Sequence, residues 1–295
     1  MPDSGLSAGA LYRELAASLR ASGTPTPELD ARLIVCYALG ISHETLVAEP
    51  ERRTSLPARQ TAFSYAKRRC AHEPVSRIVG VREFRGLDFK ITPDTLDPRP
   101  DTETVIDASL EVLGSAPRPE GHRILDIGTG SGCILVSLLH EVGSATGVGT
   151  DISERALCVA RDNASRHGVT QRARFVCTSW STGVAGSHDL VVSNPPYIAT
   201  GAIADLAPDV YAYDPRSALD GGSDGLDAYR AIIPALRECL VPGGWVVLEV
   251  GAGQAEAVCN MLATTAKAVG FEKPCHWRDL AGHVRCIGAR RSPSA

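Results

Sequence analysis

The chain has 295 residues, more than one average domain, and its 44% apolar and 22% charged residues describe a chain able to bury a sizeable core. Thirty Lys and Arg against 34 Asp and Glu leave a formal net charge of −4, a balance that disfavours tight, sequence-independent binding to nucleic acid. The nine cysteines include no CxxC pair and the eight histidines are dispersed, so free thiols in a reducing compartment are expected, with no disulfide framework and no metal site.

No run reaches the ~20 apolar residues of a membrane span. The opening "MPDSGLSAGALYREL" has no basic segment ahead of an apolar core. A cytoplasmic protein without a membrane partner is the expectation.

Leu11, Leu15 and Leu19 recur every fourth residue and predict an amphipathic helix over 8–22. Thr26-Pro27 starts a second helix that Gly40 stops, and residues 57–71 read as a third. Residues 1–75 are therefore expected to form a helical bundle, whose role would be to dock a substrate. From 77 to 92 the period changes. Val79, Val81, Phe84, Leu87 and Phe89, interrupted by Gly80 and Gly86, predict a β-hairpin. That hairpin and the stiff "DPRPDTE" make a linker over 76–100, with Asp101 or Thr102 capping a helix over 102–114.

A third region, 101–290, alternates. Strands are expected at 123–126, 145–150, 172–177, 189–193, 244–250 and 283–288, with helices at 131–141, 153–167, 224–240 and 253–268. This rhythm predicts an α/β fold with a mostly parallel sheet covered on both faces.

Within it, "RILDIGTGSGCILVSLL" reads as strand, glycine turn and helix. Gly128, Gly130 and Gly132 allow a sharp turn and close approach of a ligand to the main chain around Thr129 and Ser131. The spacing is GxGxG, not the GxGxxG of dinucleotide sites. Asp126 precedes it, and a carboxylate there repels a pyrophosphate and suits a cationic ligand. Asp151 ends the next strand, 25 residues on. It can accept the hydroxyls of a ribose, and the plain alternative is a helix N-cap. A nucleoside with a cationic tail and no pyrophosphate points to S-adenosylmethionine, spent as S-adenosylhomocysteine.

The strand "DLVVS" then delivers Asn194, Pro195, Pro196 and Tyr197 to the same sheet edge. The Asn194 carboxamide oxygen and the Pro195 carbonyl can each accept one hydrogen of a planar –NH2 group. Such a nitrogen has its lone pair delocalised, so orientation beside a methyl donor is much of the task. The prolines stiffen the loop at little entropic cost, and Tyr197 supplies a flat wall. Adenine N6, cytosine N4 and a glutamine side-chain amide all fit.

"LDIGTGSG" and "GTDIS" resemble the two cofactor signatures of class I S-adenosylmethionine-dependent methyltransferases. Over residues 10–290 the chain resembles the release-factor glutamine N5-methyltransferases of the HemK/PrmC type. The likeness runs through "EPVSRIVGVREFRGL", "PRPDTE", "VVSNPPYI", "YDPRSALDGGSDGLDAYR", "VPGGWVVLEVGAGQ" and "DLAGHVR". It implies a Rossmann-like, mostly parallel seven-stranded sheet behind a small helical domain. It also implies Asp126, Gly128 to Gly132, Asp151, Trp180 and Asn194 as cofactor contacts, and Asn194 to Tyr197 as the substrate-amide clamp. "PRPDTE" becomes a wall beside the reactive centre. The implied substrate is the glutamine of the Gly-Gly-Gln motif in class 1 release factors. A ribosomal-protein glutamine is the sibling alternative, and a nucleic-acid amino group ranks third.

Three positions depart from the family's usual residues: Ser179 where an acid is more usual, Asp214 where Glu is, and Arg85 where an aromatic is. Asp220, Asp224 and Asp227 resemble a metal loop but lack EF-hand spacing. Glu249 ends a strand at the active edge, where it either orients the clamp or serves as a buried structural partner.

Overall fold

Serine hydroxyls start three of the first four helices. Ser7, Ser42 and Ser55 each accept the backbone N–H three residues on, capping α1 (Ala8–Ala21), α3 (His43–Ala48) and α4 (Leu56–Cys70). Between them, α2 (Pro27–Leu39) begins on a proline and ends on Gly40 in the left-handed region, φ 62°. The fifth helix, α5 (Val75–Val79), ends the same way on Gly80, φ 74°. The computed structural model describes residues 6–184, 186 and 188–293, leaving aside the side chains of 266–269.

In chain order the remaining elements are β1 (Val81–Phe84), β2 (Leu87–Lys90), α6 (Glu103–Gly114), β3 (Arg123–Ile127), α7 (Cys133–Glu141), β4 (Thr146–Asp151), α8 (Glu154–Arg166), β5 (Ala173–Cys177) and β6 (His188–Ser193). Then come α9 (Pro208–Tyr211), α10 (Asp227–Cys239), β7 (Leu240–Glu249), α11 (Ala255–Val269), β8 (Cys275–Arg278) and β9 (Val284–Arg290). Among the described residues no helix is long and apolar enough to cross a membrane.

The chain divides into two compact units. One comprises Met1–Val81 with Ala207–Tyr213. Its core is the predicted leucine stripe, Leu11, Leu15 and Leu19, packed with Ile34, Val35, Leu46 and Ala62. A buried ion pair, Arg69 Nε to Asp30 Oδ2 at 2.6 Å, crosslinks α4 and α2. The segment carrying α9 joins this unit, and the Tyr213 hydroxyl donates to the Ala71 carbonyl at 3.1 Å.

The other unit comprises Arg82–Leu206 with Asp214–Ala295. Its seven-stranded sheet has the order β5-β4-β3-β6-β7-β9-β8. The pairs β5-β4, β4-β3, β3-β6 and β6-β7 are parallel, and β9 runs antiparallel to both β7 and β8. Side chains alternate across it as strand geometry requires. Ile124, Leu190, Val192 and Val247 face one apolar layer with α6 and α7, whereas Leu125, Val191, Val246 and Leu248 face the other with α10 and α11. This is the doubly covered, mostly parallel sheet the alternation predicts.

Three local expectations change. The hairpin begins at Val81, because residues 75–79 close a helical turn that Gly80 terminates. Its loop is Arg85-Gly86, both at positive φ (55° and 73°), the geometry of a tight two-residue hairpin turn. Strand β7 starts at Leu240, where the chain already pairs with His188. Helix α10 starts at Asp227 because residues 221–226 pack as a turn. Strand β8, four residues on the sheet edge, and the six-residue α3 have no counterpart in the sequence reading.

Candidate active site

Strand β3 is where the strand order reverses, with β4 on one side and β6 on the other. In open parallel sheets the crevice beyond the carboxyl ends at such a point takes the ligand. A cavity of about 370 Å3 lies there, lined by residues that follow β3, β4 and β6.

The turn after β3 is held open by backbone geometry. Gly128, Gly130 and Gly132 all have positive φ (74°, 55° and 80°), which side chains with a Cβ rarely adopt. The N–H groups of Gly128 and Thr129 both donate to the Thr150 carbonyl, at 2.9 and 2.8 Å. A Cβ on Gly132 would stand 3.1 Å from that of Ala160, so this glycine also lets α7 lie against α8. Gly128, Thr129, Gly130 and Ser131 line the cavity.

Asp126, expected to face the ligand, is placed elsewhere. It is wholly buried beneath the turn and accepts the Thr129 hydroxyl at 2.6 Å. Burial pushes its carboxyl up to about 7, against the opposing Thr129 bond. It braces the turn from below; its strand-end position made it resemble a ligand contact.

Asp151 lines the cavity. Its Oδ2 accepts the Gly130 N–H at 2.9 Å and its Oδ1 the Ser153 N–H at 2.8 Å. The N-cap of α8 is Ser153, whose hydroxyl accepts Ala156 N–H, so the capping alternative for Asp151 does not hold. Each carboxylate oxygen keeps acceptor capacity for a further donor. Trp180 and Ser179 form another part of the wall. Trp180 has φ 52°, an outlier for a bulky residue of the kind that collects at ligand sites.

Asn194 and Pro196 reach the cavity from β6. The Asn194 Nδ2 donates to the Thr102 hydroxyl oxygen at 3.0 Å. Pro195 is buried. Tyr197 is not placed in the cavity wall: it packs into the apolar layer with α10 and α11, and its hydroxyl donates to Glu249 Oε1 at 3.3 Å. From "PRPDTE", Pro98, Arg99 and Thr102 line the cavity.

The charge balance of the wall discriminates between ligands. Among the described residues lining it, Asp94, Asp151 and Asp220 stand against one guanidinium, Arg99. Arg99 is itself paired with the buried carboxylate of Asp214. Asp94 and Asp220 are paired in turn with Arg155 and Arg216, so the carboxylate of Asp151 carries the acidic character of the wall, which favours a cationic nucleoside and disfavours a pyrophosphate.

Residues 10–80 match the PrmC N-terminal domain family, and residues 103–212 the methyltransferase small domain family. A release factor glutamine methyltransferase of Bradyrhizobium diazoefficiens is 45% identical, covering 99% of this chain and 97% of its own length. That of Rhodospirillum rubrum is 43% identical, covering 98% of this chain and 86% of its own. The chain belongs to the release factor glutamine methyltransferases. The N-terminal domain of human METTL16 in complex with SAH shares the fold, with TM-score 0.50 and 16% identity over 70% of this chain and 76% of that one.

In this family member the Asn194–Tyr197 loop rests on residues that carry no local sequence signal. Gln254 Nε2 donates to the carbonyls of Tyr197 (2.9 Å) and Gly225 (3.1 Å), while its Oε1 accepts Gly251 N–H. Ile198 and Thr200 bond the backbone of 219–222. Gly221 permits that approach, since a Cβ there would stand 2.7 Å from the Pro196 carbonyl oxygen. The acids of "ALDGGSDGLD" are taken up locally: Asp220 by Thr200 and Arg216, Asp224 and Asp227 by Arg230. Asn163 ties the glycine turn to the hairpin, its Nδ2 donating to the carbonyls of Ser131 (2.8 Å) and Lys90 (2.9 Å). Of the unusual residues, Arg85 pairs with Asp107 at 2.7 Å.

Beneath the Asn194–Tyr197 loop lies Glu249, 1% exposed. Burial pushes its carboxyl up to about 7, while the Thr102 and Tyr197 hydroxyls act in the opposite direction. Thr102 does not cap α6 with its side chain, because its hydroxyl is engaged by Asn194.

Proposed function

We propose that this protein methylates the side-chain amide nitrogen, N5, of the glutamine in the Gly-Gly-Gln motif of class 1 peptide-chain release factors. Family membership supports the release factor as substrate, and the clamp supports a planar amide as acceptor. The observation that carries the reading is the orientation of Asn194. Its Nδ2 is engaged by Thr102, so Oδ1 is the acceptor left for an incoming –NH2.

The methyl donor is S-adenosylmethionine, which when bound supplies an electrophilic methyl on a sulfonium. The residues that would hold it are those of the cavity: the Gly128–Gly132 turn at its tail, Asp151 at the ribose, and Trp180 with Ser179 at the adenine. The acidic wall suits its cationic charge. Asp126 acts indirectly, through Thr129.

Asn194 Oδ1 accepts one hydrogen of the substrate amide and the Pro195 carbonyl the other. Holding both hydrogens aims the nitrogen and favours its pyramidalisation as the bond to carbon forms. Pro195 and Pro196 keep both acceptors in place before substrate arrives. The nitrogen gains a carbon and sheds one proton, which needs no strong base because an N-alkylated amide cation is strongly acidic. Tyr197 acts from behind the loop.

The helical bundle is read as the docking surface for the release factor, acting in the cytoplasm and without direct contact to nucleic acid. Leu29, Leu33 and Tyr37 leave one face of α2 apolar and exposed.

The test is transfer of labelled methyl from S-adenosylmethionine to purified release factor, a ribosomal protein and DNA offered in parallel. Label is expected in the release factor and lost when the Gly-Gly-Gln glutamine is replaced. Label only in DNA or only in the ribosomal protein overturns the reading.

A further inference from the structure

An asparagine amide can sit either way round. Its oxygen and nitrogen differ little in size, so packing alone does not decide which faces a ligand. For Asn194 the choice is functional: the oxygen accepts from a substrate –NH2, whereas the nitrogen would present hydrogens to hydrogens. Something must bias the flip.

Thr102 is the immediate partner, but a hydroxyl is ambivalent. It has one proton and can donate to an Asn oxygen or accept from an Asn nitrogen. Its direction depends on where its own proton goes. Glu249 supplies that direction. Its carboxylate is buried beside Thr102 and Tyr197, one oxygen accepting from Tyr197 at 3.3 Å and the other, Oε2, buried without a hydrogen bond. A carboxylate has no proton to give and accepts from any hydroxyl in reach. Once it draws the Thr102 proton, only the Thr102 lone pairs face Asn194, and they bind Nδ2.

We propose that Glu249 and Thr102 are positioning residues that hold the Asn194 carboxamide with its oxygen toward the cavity. This rests on the reading of Asn194 as the substrate-amide acceptor. Glu249 lies outside the cavity lining and Thr102 at its edge; the role assigned to both is to set the polarity of Asn194. They come from distant parts of the chain, the linker before α6 and the end of β7.

The test compares Thr102→Val, Thr102→Ser and Glu249→Gln with the full-length enzyme, using methyl transfer to release factor and calorimetric binding of S-adenosylmethionine. Thr102→Val keeps shape but removes the relay, and kcat is expected to fall about 10- to 100-fold. Cofactor affinity and KM should stay within about twofold. Thr102→Ser restores the hydroxyl and should recover most of kcat. Glu249→Gln should lower kcat, and the double variant with Thr102→Val should be no worse than the poorer single one, because both break one relay. If Thr102→Val does not fold, Thr102→Ala repeats the test without a methyl in the hydroxyl's place. Wild-type kcat in the Thr102 variant, or additive losses in the double variant, overturns the proposal. Asn194→Ala separates the two readings. If it is inactive while Thr102→Val is normal, only the positioning role fails; if it is fully active, the clamp itself fails.

Discussion

Gln254 Nε2 donates to the Tyr197 carbonyl at 2.9 Å, so the side chain that opens α11 fastens the loop that ends β6. The same nitrogen donates to Gly225. One amide thus satisfies two half-buried carbonyls, and removing it leaves both unpaired at a cost of about 1–3 kcal/mol. Gln254→Ala should lower the thermal midpoint by several degrees and kcat by about tenfold. Affinity for S-adenosylmethionine should hardly change, because Gln254 lies outside the cofactor turn. Parallel melting curves and kinetics check this; an unchanged kcat in a folded variant contradicts it.

Asp151 is fixed by two backbone N–H groups, Gly130 and Ser153. Those bonds aim the carboxylate at the cavity and tie its position to the glycine turn. Asp151→Ala removes the proposed ribose acceptor and frees the Gly130 N–H, so cofactor affinity should weaken about 10- to 100-fold. Asp151→Asn keeps an acceptor oxygen and should lose less. Calorimetric titration distinguishes the two, and equal losses contradict the proposed contact.

What the sequence made legible follows contact distance along the chain. The glycine turn, Asp151 and the Asn194–Tyr197 element each combine a local backbone signal with a strand end, so their placement on one sheet edge follows from alternation alone. The leucine stripe of α1 is equally local. The misread residues are those decided by depth in the sheet or by partners far along the chain. Asp126 has a ligand-facing address, yet the Thr129 hydroxyl and the depth of β3 put it underneath. Tyr197 reads as a wall, but the buried acceptor on β7 draws its ring behind the loop. Thr102 reads as a helix cap, but Asn194, 92 residues later, takes its hydroxyl. The return of Ala207–Tyr213 to the helical unit carries no periodic signal, since it rests on one short helix and contacts such as Tyr213 to Ala71.

Gly225 tests how tightly the acidic turn supports the clamp. Its φ is 76°, and a Cβ would stand on the Tyr197 carbonyl oxygen and 2.6 Å from Gln254 Nε2. Gly225→Ala therefore combines left-handed strain with overpacking, about 2 kcal/mol or more of lost stability. The clamp must also shift, so kcat should drop along with the thermal midpoint. By contrast Gly143→Ala meets nothing within 4 Å and has no positive φ, and it should leave kcat within about twofold. Similar kcat for the two variants would argue against a turn that holds the clamp.

Acidity should move stability and turnover in opposite directions. Asp126 and Glu249 are both pushed up to about 7 in the folded protein, from ordinary values of 3.8 and 4.5, chiefly by burial. A carboxyl whose pKa is raised on folding binds more protons in the folded state, so stability is greatest below the unfolded value and declines as pH rises toward about 7. Wild type relative to Asp126→Asn should therefore lose thermal midpoint between about pH 4 and pH 7, the window set by those shifts. For turnover the sign reverses at Glu249. Its charged form directs the Thr102 proton, so kcat should fall as pH drops through about 7. The groups that face it are Tyr197, by hydrogen bond, and the neighbouring Thr102 hydroxyl, with Asp101 opposing its charge and Arg285 favouring it; Tyr229, Cys286 and Cys133 also sense it. Arg285 is held between Asp101 and Asp279, each at 2.8 Å, so its charge is constant through this range. Asp126 titrates in the same window but belongs to the cofactor turn, and its effect should appear in cofactor affinity. The decisive comparison is kcat against pH at saturating cofactor for wild type and Thr102→Val. Wild type should show the acid limb and the variant a flat, low profile, because without the hydroxyl the state of Glu249 no longer reaches Asn194.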